Sequence, residues 1–139
     1  LLPEQIRVFY KVKGADRTII TSDVTRYAGM RPGDYLNAEG DTIRLTPDGA
    51  AIYVARNSLS GSASPLSKGV GFVMQVTGCS LAEAIQMASS NAARLYGLKD
   101  RGELKPGMRA DLILFTMEDF QMKIKKTIVA GKVVYEEQN

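Results

Sequence analysis

The chain has 139 residues, a hydrophobic fraction of 45%, a charged fraction of 24% and a formal charge of +3. That balance excludes a disordered polar segment and supports a core of its own, and no apolar run approaches the roughly 18 residues of a membrane helix. Cys79 is the only cysteine and histidine is absent. An unpaired cysteine points to a reducing, cytoplasmic setting, and no signal peptide opens these residues. Lys123, Lys125 and Lys126 form the one tight basic group. They alternate with Met122, Ile124 and Ile128 as the wet face of a strand does, so neither a nucleic-acid partner nor a membrane partner is expected.

In chain order, Pro3 suits the first turn of a helix running to about Val12, with Ile6, Phe9 and Tyr10 on one face and Gly14 at its end. Thr18 to Ser22 then read as a short buried strand. Three short strands follow, Tyr35–Ala38, Thr42–Leu45 and Ala51–Val54, separated by Glu39-Gly-Asp41 and by a Pro47-Asp-Gly49 turn. Ser64-Pro65 opens a helix to about Val76, with Leu66, Val70 and Val73 along its apolar stripe. Gly78 breaks it, and Ser80-Leu-Ala-Glu83 has the spacing of a capping box for the next helix. A short helical continuation, Ala92–Tyr96, stops at Gly97. The pattern then returns to strands at Asp111–Thr116, Ile124–Val129 and Lys132–Glu136, with Ala130-Gly131 as a tight hairpin turn. Gly69-Val-Gly71 falls inside a helix and is no dinucleotide loop. Met74 and Met87 are core fillers and Cys79 a structural thiol.

Ile19-Ile-Thr-Ser-Asp23 is an apolar run that ends in a carboxylate. At the C-terminal end of a barrel strand such a group reads as catalytic; from its own pattern alone it reads rather as the cap of the following loop. Ser58-Leu-Ser-Gly-Ser62 is either a substrate-lining loop, with Gly61 permitting close approach, or a serine-rich connector before a helix. Arg26 and Tyr27 read as an exposed loop pair beside these positions.

Longer stretches of text carry a resemblance. Asn91-Ala-Ala-Arg-Leu-Tyr-Gly-Leu98, followed by Arg101-Gly-Glu-Leu-Lys-Pro-Gly-Met-Arg-Ala-Asp-Leu112, resembles the C-terminal signature of the amidohydrolase superfamily. There a helix ends in N-P-A-R-x-x-G, and a G-x-L-x-P-G-x-x-A-D-L turn leads into a small β-sandwich. Lys126-Thr-Ile-Val-Ala-Gly-Lys-Val-Val134 is similar to the last hairpin of that family. Thr21-Ser-Asp-Val-Thr-Arg-Tyr-Ala-Gly29 and Ser58-Leu-Ser-Gly-Ser62 resemble two segments of the N-acetylglucosamine-6-phosphate deacetylase family. The departures are Asn91-Ala in place of Asn-Pro, and a bulky Val24-Thr-Arg-Tyr27 after the aspartate.

The resemblance implies an α/β fold: the C-terminal portion of a metal-dependent hydrolase (β/α)8 TIM barrel at residues 1–105, with a β-excursion at about 34–55, and strands of a small β-sandwich at 106–139. A full barrel takes about 250 residues, so a segment of a longer, homo-oligomeric enzyme is expected, inactive by itself. The implied reaction is hydrolysis of the acetamide of an N-acetyl amino-sugar phosphate. Asp23 would take a proton from water activated by a divalent metal, zinc or iron, and return it to the departing amine. Leu59, Ser60 and Gly61 would line the substrate. The metal would be held outside this chain, with Asp23 as a possible second-site contact. A deaminase or cyclic-amide hydrolase sharing the same text, and a non-catalytic α+β binding module, are the alternatives.

Overall fold

The computed structural model describes residues 1–138. They form two compact units: Leu1–Ile20 together with the chain from Val70 on, and Thr21–Gly69. No described helix is long and apolar enough to cross a membrane.

The first unit opens with α1 (Pro3–Lys13), whose Pro sits in the first turn and whose last turn carries Lys11 and Lys13. Gly14, at φ 68°, closes it by donating its N–H to the Tyr10 carbonyl. A 3-10 turn follows at Ala15–Arg17. The strand expected at Thr18–Ser22 does not form; these residues join no sheet. A strand exists only through a ladder partner, and the backbone N–H groups that bond here turn elsewhere: Thr18 to the Ala15 carbonyl at 3.4 Å, and Ile20 to a helix end. Ile20 N–H donates to the carbonyl of Met87 at 3.0 Å, one of the terminal carbonyls that a helix leaves unpaired.

Three further helices, α2 (Leu66–Thr77), α3 (Leu81–Ala88) and α4 (Ser90–Leu95), supply the core of this unit. Val70, Cys79, Ala84 and Met87 are buried there, with Tyr10, Ile20, Met74 and Met122 packed against them. The expected capping box is present. Ser80 Oγ accepts from the Glu83 N–H at 3.2 Å, and the Glu83 carboxylate accepts from the Ser80 N–H at 2.8 Å. Tyr10 Oη adds a bond to the same carboxylate at 3.0 Å. These donors, the Ser80 amide foremost, hold the Glu83 pKa below the ordinary glutamate value.

The antiparallel strands β5 (Leu112–Glu118), β6 (Gln121–Val129) and β7 (Lys132–Glu136) complete this unit in that order. The expected strand limits fell short around the first hairpin, which is continuous across Asp119-Phe120, both at positive φ (47° and 60°). Such a turn usually advertises itself through glycine or asparagine, so Asp-Phe hid it. The tip packs on α2, where Gly71 leaves room for the Phe120 carbonyl; a Cβ at Gly71 would lie 1.7 Å from that oxygen.

Asn91, only 5% exposed, is the buried polar residue of this unit. Its amide donates to the carbonyls of Ala15 and Thr18, at 2.7 Å each. Both acceptors lie in the segment that leads toward Asp23.

The second unit is a four-stranded antiparallel sheet in sequential order, β1 (Gly33–Leu36), β2 (Thr42–Leu45), β3 (Ala50–Tyr53) and β4 (Ser58–Ser62). The expected Pro47-Asp-Gly49 turn joins β2 to β3, with Gly49 at φ 97° and its N–H donating to the Thr46 carbonyl. Ile43, Leu45, Ala51 and Tyr27 form its core, flanked by Tyr35, Tyr53 and Ala63. The fourth strand was unexpected, because Ser-Leu-Ser-Gly-Ser lacks the alternation that marks a half-buried strand.

Candidate active site

All four residues singled out by sequence lie in the second unit. Two stretches of backbone meet there: the segment around Asp23, and β4.

Asp23 stands at φ 49°, in the left-handed region that aspartate tolerates better than most residues. Its carbonyl accepts the Ser62 N–H at 2.9 Å, and the Ser62 carbonyl accepts the Thr25 N–H at 2.7 Å. These two bonds form a parallel bridge between Val24 and Ser62. Thr25 Oγ1 donates to the same Ser62 carbonyl at 3.0 Å. The Asp23 side chain is exposed, and none of the bonds or ion pairs among the described residues engages its carboxylate.

Gly61 explains how the two stretches come so close. It is buried at φ 140°, and a Cβ there would lie 2.7 Å from Thr25 Cγ2, 3.0 Å from the Asp23 carbonyl oxygen and 3.4 Å from Asp23 Oδ2. The close approach that Gly61 permits is thus made by Asp23 and Thr25 of the same unit. Ser60 sits at a bulge. Ala51 pairs with Gly61 and Ile52 with Leu59, so Ser60 is the extra residue opposite β3. Bulges re-aim side chains and recur beside active sites. Leu59, next to it, is 69% exposed, an apolar side chain presented to solvent.

Arg26 is exposed as expected. Tyr27 is not: it is 7% exposed and belongs to the sheet core, 6.0 Å from the Tyr35 ring centroid. An aromatic ring beside Ile43, Leu45 and Ala51 gains more from burial than a loop position would return. Its hydroxyl is buried without a partner among the described residues. Tyr27 therefore anchors the loop that follows Asp23.

Thr25 is the contributor that sequence reasoning did not single out; Ser62 was read only as part of a loop, and Tyr27 only as an exposed residue beside the site. The Thr25 signal was available, as a β-branched hydroxyl two residues after the carboxylate. Among the described residues, no three His, Cys, Asp or Glu side chains gather where a metal ion could sit. The described residues do not by themselves fit a metal centre.

The amidohydrolase family model matches residues 30–134. The chain is 33% identical over 128 residues to the N-acetylglucosamine-6-phosphate deacetylase of Lysinibacillus sphaericus, covering 92% of this chain and 32% of that protein. It is 36% identical over 136 residues to the human protein of the same name, covering 96% of this chain and again 32% of the relative. The crystal structure of the Thermotoga maritima N-acetylglucosamine-6-phosphate deacetylase superposes with a TM-score of 0.85 at 31% identity, over 99% of this chain and 36% of that one. The chain thus spans about a third of the length of the curated relatives it matches.

Proposed function

This chain belongs to the amidohydrolase family, and from that premise we propose that it carries the proton-transfer carboxylate of an N-acetylglucosamine-6-phosphate deacetylase. The full enzyme hydrolyses the acetamide of an N-acetyl amino-sugar phosphate to acetate and a free amine. The observation that carries the reading is the setting of Asp23: an exposed carboxylate without side-chain partners, on a backbone clasped to β4. A group in that state accepts a proton from the attacking water and returns it to the amine nitrogen as the C–N bond breaks. Leu59 packs against the acetyl methyl, and the bulge at Ser60 shapes the strand beside it.

Amidohydrolases are generally metal-dependent, so a divalent ion, zinc or iron, belongs to the proposal; it would be bound mainly by residues outside this chain, with Asp23 as a second-site contact, and would supply polarisation of the amide. In the same reading residues 1–105 complete a (β/α)8 barrel, with 34–55 as an excursion, and residues 106–139 join a small sandwich. The enzyme is cytoplasmic and homo-oligomeric, with the sugar phosphate as its partner and neither nucleic acid nor membrane.

The test is acetate release by the full-length enzyme with saturating metal, comparing wild type with Asp23→Asn. General acid–base catalysis contributes about 10²–10⁴-fold, so turnover should fall by about that factor. Comparable turnover in the two would sink the role assigned to Asp23.

A further inference from the structure

Catalytic bases are normally oriented by a neighbouring side chain that hydrogen-bonds them. Asp23 has no such neighbour among the described residues; what they fix is its backbone, and with it the direction of the Cα–Cβ bond that carries the carboxylate. That backbone holds an uncommon left-handed conformation, φ 49°, and a sparsely populated conformation persists only where its surroundings over-determine it. Three bonds surround it, all to Ser62, and two of them come from Thr25: its N–H at 2.7 Å and its hydroxyl at 3.0 Å, both to the Ser62 carbonyl.

From this we infer that Thr25 is a positioning residue for Asp23. Its hydroxyl doubles the grip on Ser62 that sets the direction of the carboxylate. Its methyl group meets the bare face of Gly61 and fixes how near the two stretches approach. Two residues further on, Tyr27 is sunk in the sheet core, so the loop is held on that side as well. Asp23 is thus an exposed residue directly before a clasp at Thr25 and an anchor at Tyr27. The inference rests on the reading of Asp23 as the proton-transfer group.

Three variants separate these parts. Thr25→Val keeps the branched shape and removes the hydroxyl; Thr25→Ser keeps the hydroxyl and removes the methyl; Asp23→Asn reports the reading underneath. In the full-length enzyme, Thr25→Val should lower kcat about tenfold, since small misplacements of a reacting group are costly, with KM within about twofold of wild type. Thr25→Ser should recover most of kcat. In the same full-length enzyme, the three-bond HN–Hα coupling of Asp23, which reports φ, should move away from its wild-type value in Thr25→Val and stay near it in Thr25→Ser. An unchanged kcat in Thr25→Val overturns the positioning role, as does an equal loss in both threonine variants. Wild-type turnover matched by Asp23→Asn overturns the reading underneath, whatever the coupling shows, so the two failures are distinguishable.

Discussion

Glu83 gathers three donors around one carboxylate, the Ser80 amide, the Ser80 hydroxyl and Tyr10 Oη. Because its pKa is depressed in the folded state, its contribution to stability is complete above the unfolded value of 4.5 and disappears as pH falls through the folded value. Urea midpoints measured from neutral pH into the acid range should fall for the wild type, and fall less steeply for Glu83→Gln. The Ser80 side of the box was readable in the sequence, since a serine three residues before a glutamate has a mechanism attached. The Tyr10 bond was not, because the two residues are 73 positions apart and only packing joins them. The same holds for Asn91. Its place in a recognisable run of text was visible, while its physical work, two bonds to carbonyls more than 70 residues earlier, needed the fold.

Gly71 shows the same limit at the level of elements. A glycine inside a helix is unfavourable by about 1 kcal/mol relative to alanine, so alanine should stabilise an isolated α2. Here the Cβ would overlap the Phe120 carbonyl at 1.7 Å, and Gly71→Ala should instead destabilise the chain by about 1–3 kcal/mol. Chemical denaturation decides the sign. The helices were legible because their apolar spacing and caps agree with each other. Two strands were misjudged for opposite reasons. Thr18–Ser22 has strand composition and no ladder partner among the described residues, so it joins no sheet. Ser58–Ser62 has loop composition and two partners, β3 along its length and Val24 at one bridge, so it becomes a strand. Pairing outweighs propensity in both.

Over the whole molecule, many large apolar side chains remain in water. Val8, Phe9 and Val12 of α1, and Ile113, Val133, Val134 and Tyr135 of the three-stranded sheet, are each more than two-fifths exposed. Patches of this kind mark surfaces that a partner covers. The 139-residue chain should bind a hydrophobic dye and self-associate in light scattering, where a monodisperse, dye-negative monomer would fit the non-catalytic module instead. The absence of histidine, visible at once in the sequence, speaks to the same point: the carboxylate of the proposed site is here, and the imidazoles that hold metals in such centres are not.

The space beside Gly61 belongs to two positions at once. The Thr25 methyl lies 2.7 Å and the Asp23 carbonyl oxygen 3.0 Å from where a Cβ would stand, and the backbone there holds φ 140°. Among related sequences glycine should therefore persist at the Gly61 position whatever stands in place of Thr25, since a smaller neighbour relieves neither the carbonyl nor the backbone. That record would be written in alignments, independently of any assay of the enzyme.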